Sequence, residues 1–133
     1  MLNIEHIGIA VKSLEKSIPL FETLLNTPCY KKEMVESEHV QTAFFQQGET
    51  KIELLESTIE GGVISKFIEK KGEGMHHIAL AVSDIHAEME RLKAAGFEFL
   101  NAEPKAGADN KMICFLHPKS TNGVLVELCM ERV

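Results

Sequence analysis

The chain carries one unit of sequence twice. Residues 6–11 read His-Ile-Gly-Ile-Ala-Val and residues 77–82 read His-Ile-Ala-Leu-Ala-Val, an offset of 71. Alternation marks each as a short strand. One face of each strand carries Ile, Ile or Leu, and Val; the other carries His, Gly or Ala, and Ala. A core strand fills both faces with side chains, whereas a polar head followed by small residues leaves room for something bulky. His6 and His77 each begin such a face.

The repeat continues beyond the strands. Leu14, Ile18 and Phe21 correspond to Ile85, Met89 and Leu92, and the spacing predicts an amphipathic helix in each half. Ser13 and Asp84 are suited to cap the helix starts, and Asn26 and Gly96 stand where the helices should stop. Three strand-like stretches follow each helix: Cys29–Val35, His39–Gln46 and Lys51–Glu56, then Glu98–Ala102, Lys111–His117 and Gly123–Met130. Gly48, Gly107, Pro118 and Gly123 mark turns. Between the halves, Val63, Ile64, Phe67 and Ile68 predict a short connecting helix, and Gly72 and Gly74 release the chain. The expected fold is α+β: two tandem βαβββ modules forming a curved mixed sheet around a metal-binding cleft. The expected organisation is a single domain over 1–133, with modules 1–58 and 75–133 joined by 59–74.

The last strands complete the pattern. Residues 51–55 read Lys-Ile-Glu-Leu-Leu and residues 125–129 read Leu-Val-Glu-Leu-Cys. Each sets a glutamate inside an apolar run, where a carboxylate is costly unless it is paired. Glu53 and Glu127 stand 74 apart, a three-residue slip that a turn insertion near Pro118–Asn122 accounts for. A lone strand histidine is ordinarily a structural residue. Two histidines and two glutamates at equivalent places in two copies of one unit predict instead a single divalent-metal site built from His6, Glu53, His77 and Glu127. Imidazole with carboxylate suits Ni, Co or Zn, and equally Mn or Fe(II), better than Ca or Cu(I). The proposed set contains no thiolate, which argues against a closed structural zinc site.

Bulk properties bound the alternatives. The sequence has 133 residues, 44% hydrophobic and 26% charged, which places it among ordinary globular chains. Its net charge of −6 argues against nucleic acid as a partner. No apolar run approaches the roughly 18 residues of a membrane span. No basic leader is visible. The three cysteines, Cys29, Cys114 and Cys129, form neither a CxxC site nor a disulfide framework. A cytoplasmic protein without a membrane partner is therefore expected.

Other side chains carry weaker signals. Gln41, on an inner strand, is a candidate for the cavity face. Lys105, Lys111 and Lys119 border the second-half loops and could meet a substrate carboxylate or phosphate, though solvated lysines are commoner. His117, in Leu-His-Pro, suits the pocket mouth or a turn. His76 points away from His77 and is expected to pack, and His39 and His86 are expected to be exposed.

These residues resemble the vicinal oxygen chelate superfamily over almost the whole chain. Gly-Met-His-His-Ile (74–78), Glu-Pro-Lys-Ala-Gly-Ala (103–108) and the stretch from Phe-Leu-His-Pro-Lys-Ser to Gly-Val-Leu-Val-Glu-Leu (115–128) resemble methylmalonyl-CoA epimerases. The symmetrical ligand set resembles glyoxalase I, the lactoylglutathione lyase. Both resemblances imply a metal-polarised carbonyl and removal of the proton beside it, with Glu127 as base and Glu53 as its partner on the opposite side. The ligand set favours the glyoxalase I reaction, which turns the hemithioacetal of methylglyoxal and a thiol into a 2-hydroxyacyl thioester in methylglyoxal detoxification. Methylmalonyl-CoA epimerase is the alternative, and a non-catalytic drug-sequestering protein is the alternative of another class. The expected partner is a small-molecule thioester or hemithioacetal. A homodimer is expected because sheet edges need cover, and the connecting segment leaves open whether modules pair within one chain or across the dimer.

Overall fold

A computed structural model describes residues 1–132. The chain divides into two compact units, one of His6–His76 and one of Met1–Glu5 with the residues from His77 onward. No helix among the described residues is long and apolar enough to cross a membrane.

The first unit contains β1 (Ile4–Ala10, whose first two residues belong to the other unit), α1 (Leu14–Leu25), β2 (Lys31–Val35), β3 (Val40–Gln47), β4 (Thr50–Ser57) and α2 (Val63–Lys71). Its strands lie in the order β2-β3-β4-β1, with β1 parallel to β4 and the other pairs antiparallel. The alternation of the first strand decides which side is buried under α1. Ile9 and Val11 join Leu14, Ala43, Phe45 and Leu54 in one apolar cluster, to which Ile18 and Phe21 contribute from α1. Helix α1 begins where its cap predicts. The Ser13 hydroxyl accepts from the Lys16 N–H at 3.3 Å, and a Glu56 carboxylate oxygen accepts from the Leu14 N–H at 2.6 Å. It ends at Asn26, whose φ of 52° is left-handed. Gly48 supplies the positive φ of 61° that the tight β3–β4 hairpin needs. Helix α2 covers part of the other sheet face, where Ile64 packs with Ala10, Val40 and Leu55.

The second unit contains β5 (Gly74–Ala81, entered from the first unit), α3 (Ile85–Ala94), β6 (Lys105–Ala106), β7 (Lys111–Phe115) and β8 (Val126–Glu131). Its order is β5-β8-β7-β6, again with one parallel pair, β5 with β8. The Asp84 carboxylate caps α3 by accepting from the Ala87 N–H at 3.1 Å. Ile85, Met89 and Leu92 seal the helix onto Cys114, Leu116 and Leu128. The expected α+β fold of two βαβββ modules with mixed sheets is thus present.

One predicted strand is not. Residues 98–102 form only an isolated bridge, Phe99 with Leu116, and the fourth strand is the two-residue β6 further on. Side chains interrupt the ladder here. The Asn101 carbonyl accepts from the Phe115 N–H at 2.8 Å, and the Ser120 hydroxyl accepts from the Glu98 N–H at 3.1 Å. Pro104 then offers no N–H for a continuing pair.

Candidate functional site

In the first unit, β1 and β4 run parallel with His6 beside Lys51 and Gly8 beside Glu53. Residues two apart on a strand share a face, so His6 and Glu53 meet diagonally across the strand pair. His6 Nε2 and Glu53 Oε1 are 3.4 Å apart, and both residues are buried. Glu53 has Gly8 on one side and Phe44, directly across on β3, on the other. The glycine places no side chain beside the carboxylate.

The second unit repeats this arrangement. Ala79 lies beside Glu127 across β5 and β8, and Phe115 lies across from Glu127 on β7. His77 Nε2 and Glu127 Oε1 are again 3.4 Å apart and buried. The His77 and Phe115 rings meet edge to face with centroids 6.0 Å apart, which holds the imidazole plane.

A metal ion fits each pair. Two donors bound at roughly 2.0–2.2 Å to one tetrahedral ion stand about 3.4 Å apart, which is the spacing found in both units. A bound cation would also offset the cost of burying two carboxylates. Thiolate plays no part in either pair. Burial and the nearby Glu127 carboxylate push the Cys114 thiol up to about 12, which leaves it neutral and unreactive.

The remaining expectations fare unevenly. Gln41 lies across from Glu56, on the face that packs against α1, whereas Phe44 and Glu53 occupy the other face. The cavity-facing role is therefore corrected. Parity along β3 brings Thr42, not Gln41, to the face of Glu53, and its hydroxyl donates to the Glu33 carbonyl at 3.2 Å. Lys105 stands across from Ile113 and so shares the face of Phe115 and Glu127. His117 caps a short 3-10 turn, Pro118–Ser120, with Nδ1 accepting from the Lys119 N–H at 3.1 Å. Lys119 pairs with Glu98 at 2.8 Å and holds that carboxyl below its usual range. His76 packs edge-on against Phe67 at 4.9 Å, and His39 and His86 are exposed. Lys111, expected beside a loop, is buried in β7.

Sequence reasoning passed over Phe44 and Phe115. The signal was available, because they stand at the same offset of 71 as the histidines. It also passed over Glu5, which is buried beside His6 at the start of β1.

The Glyoxalase/Bleomycin resistance protein/Dioxygenase superfamily matches residues 5–115. The chain belongs to that superfamily. It has the vicinal oxygen chelate fold and is a metal-dependent enzyme of that group. An ethylmalonyl-CoA/methylmalonyl-CoA epimerase of Cereibacter sphaeroides is 41% identical over 94% of this chain and 95% of its own length. A methylmalonyl-CoA epimerase of Mycobacterium tuberculosis superposes with a TM-score of 0.94 at 30% identity, covering 98% of this chain and 89% of that one. A variant of the Streptomyces coelicolor methylmalonyl-CoA epimerase, solved in complex with 2-nitronate-propionyl-CoA, superposes with a TM-score of 0.93 at 31% identity, over 100% of this chain and 99% of that one.

These relatives overturn the glyoxalase I expectation. Epimerases of acyl-CoA substrates align over 94% of the chain at 34% to 41% identity. Lactoylglutathione lyase activity and methylglyoxal detoxification are accordingly set aside. The flanking motifs carried more information than the ligand set, because the same ligands serve more than one proton-transfer chemistry.

Proposed function

We propose that the chain is a metal-dependent epimerase of an acyl-CoA thioester of the methylmalonyl class, acting by removal and return of the proton beside the thioester carbonyl. The observation that carries this reading is the paired geometry: each unit holds a buried histidine and glutamate 3.4 Å apart, with a small residue on one flank and a phenylalanine on the other. The full-length similarity to epimerases supports the substrate class.

In this reading the modules 1–58 and 75–133, joined by 59–74, work as one domain. His6, Glu53, His77 and Glu127 hold one divalent ion, with Ni, Co and Zn the best matches to imidazole and carboxylate. When bound, the ion supplies Lewis-acid polarisation of the substrate carbonyl. Glu127 takes the proton from one face of the α-carbon, and Glu53 serves the opposite face. Phe44 and Phe115 exclude water beside the two carboxylates, which strengthens their electrostatic effect. Lys105 contributes a cation on the Glu127 face. The protein acts as a cytoplasmic homodimer.

The test follows solvent deuterium into the α-carbon of methylmalonyl-CoA by mass spectrometry, together with inversion of a single stereoisomer. Exchange with inversion, dependent on added divalent metal, is expected. Metal-loaded protein that binds methylmalonyl-CoA without exchanging its proton would instead point to a sequestering role.

A further inference from the structure

Among the described residues, Lys111 is the one lysine or arginine that is buried. An ammonium group is rarely buried without a compensating partner. The partner recorded for it is Glu131, directly across on β8, with which its Nζ pairs. That carboxylate is 75% exposed, against 8% for the lysine side chain. An ion pair so open to water returns little for the burial of the ammonium.

The position of Lys111 explains the arrangement better than stability does. Register places Lys111 and Ile113 on the same face of β7 as Phe115, and this face carries Glu127 and Cys129 on β8. Between the His77–Glu127 pair and Lys111 the same face carries a buried apolar cluster of Ala79, Cys129 and Ile113. Four residue steps along β8 lead from Glu127 to Glu131, about 13 Å at roughly 3.3 Å per residue. Gly107 lets the chain pack closely at this end of the cluster. A Cβ there would stand 2.8 Å from Ile113 Cδ1 and 2.9 Å from its Cγ2, so a larger residue would force the isoleucine or the turn between β6 and β7 to shift. Lys105, across from Ile113, adds a second cation to the same face.

The geometry points to Lys111 as the residue that binds an anionic oxygen group of the substrate, with Glu131 as the carboxylate that this group displaces. The inference rests on the reading of His77 and Glu127 as the reacting centre. It adds a specificity determinant that the repeat does not supply, because position 40, the offset equivalent of Lys111, is Val40. Two parts of an acyl-CoA offer the chemistry, the carboxylate of the acyl group and the phosphates of the carrier.

The experiment compares metal-loaded wild type with Lys111→Met, Lys111→Arg and Glu131→Gln. Deuterium uptake is measured on methylmalonyl-CoA, on the methylmalonyl thioester of N-acetylcysteamine, which lacks phosphates, and on propionyl-CoA, which lacks the acyl carboxylate. Lys111→Met is expected to raise KM by roughly ten- to a hundredfold, the size of a lost charge-assisted hydrogen bond, with kcat changed less than about twofold. Lys111→Arg should recover most of the loss. Glu131→Gln should lower KM, since it removes the competing carboxylate. Effects limited to the two methylmalonyl substrates assign the acyl carboxylate, and effects limited to the two CoA substrates assign the phosphates. An unchanged KM, or an equal change on all three substrates with a lowered melting temperature, overturns the proposal and leaves Lys111 a structural ion pair. If wild type exchanges none of the substrates, the epimerase reading fails separately. Calorimetric titration with methylmalonate and with CoA then decides the anion site, and equal affinities for wild type and Lys111→Met overturn it.

Discussion

Phe115 lies directly across from Glu127 on the neighbouring antiparallel strand, and Phe44 bears the same relation to Glu53. Each glutamate is therefore bracketed by an aromatic ring on one strand and by Gly8 or Ala79 on the other. Each carboxylate thus has bulk on one flank and little on the other.

His77 should be needed for metal retention. Replacing it with alanine removes an imidazole held 3.4 Å from Glu127 Oε1. A loss of affinity of at least about tenfold is expected, since removing even a residue that only supports a metal ligand costs roughly 10–100-fold. Metal content after dialysis measures this, and undiminished binding by the variant would remove His77 from the ligand set.

Glu127→Gln keeps the shape and deletes the base. Deuterium exchange should fall by about 10²–10⁴. Metal content measured on the same sample separates loss of the base from loss of the ion. A variant that keeps both the metal and full exchange would transfer the base role to another group.

Ala79→Val adds bulk beside Glu127 at a position with no exposed surface. Overpacking should cost about 1–3 kcal/mol in urea unfolding. Exchange should fall as well, because the added methyl groups would crowd the Glu127 side chain beside them. Unimpaired activity would show that this flank does not face the substrate.

Asp84→Ala removes the carboxylate that accepts from the Ala87 N–H. A stability loss of about 0.5–2 kcal/mol is expected, with catalysis unchanged at temperatures where the variant is folded. Thermal melting followed by circular dichroism measures it.

Cys114 gives a pH prediction with a definite sign. Its thiol ionises near 9.0 when unfolded and at about 12 when folded. Between these values the unfolded chain has lost the proton and the folded chain still holds it, so stability falls as pH rises from about 9 toward 12. Cys114→Ala should flatten that part of the profile. The native thiol should also resist iodoacetamide at neutral pH until the chain unfolds.

Much of this architecture is legible in the sequence, for identifiable reasons. The strand faces follow from strict alternation in residues 6–11 and 77–82, and the helix starts follow from Ser13 and Asp84, whose caps act locally. The His–Glu pairs were recoverable because a duplicated unit compares itself with its copy. Gln41 was misplaced because its face depends on the register of β3 against β4, which is set by hydrogen bonding between segments and not by composition. The stretch 98–102 reads as a strand by hydrophobicity, yet the Asn101 side chain accepts from the Phe115 N–H across from it and the Ser120 hydroxyl accepts from the stretch's own Glu98 N–H. Lys111 looked like any polar loop neighbour because its burial arises only once β7 lies beside β8.

In both units the histidine and the glutamate come from the first and last strands of one sheet, joined in parallel. Neither pair can exist until the final strand of its unit has slotted beside the first. On the ribosome, the His6–Glu53 pair could therefore form once β4 has emerged, whereas the His77–Glu127 pair must wait for β8. Each pair would then mark the closure of its own unit, favouring finished units over fragments.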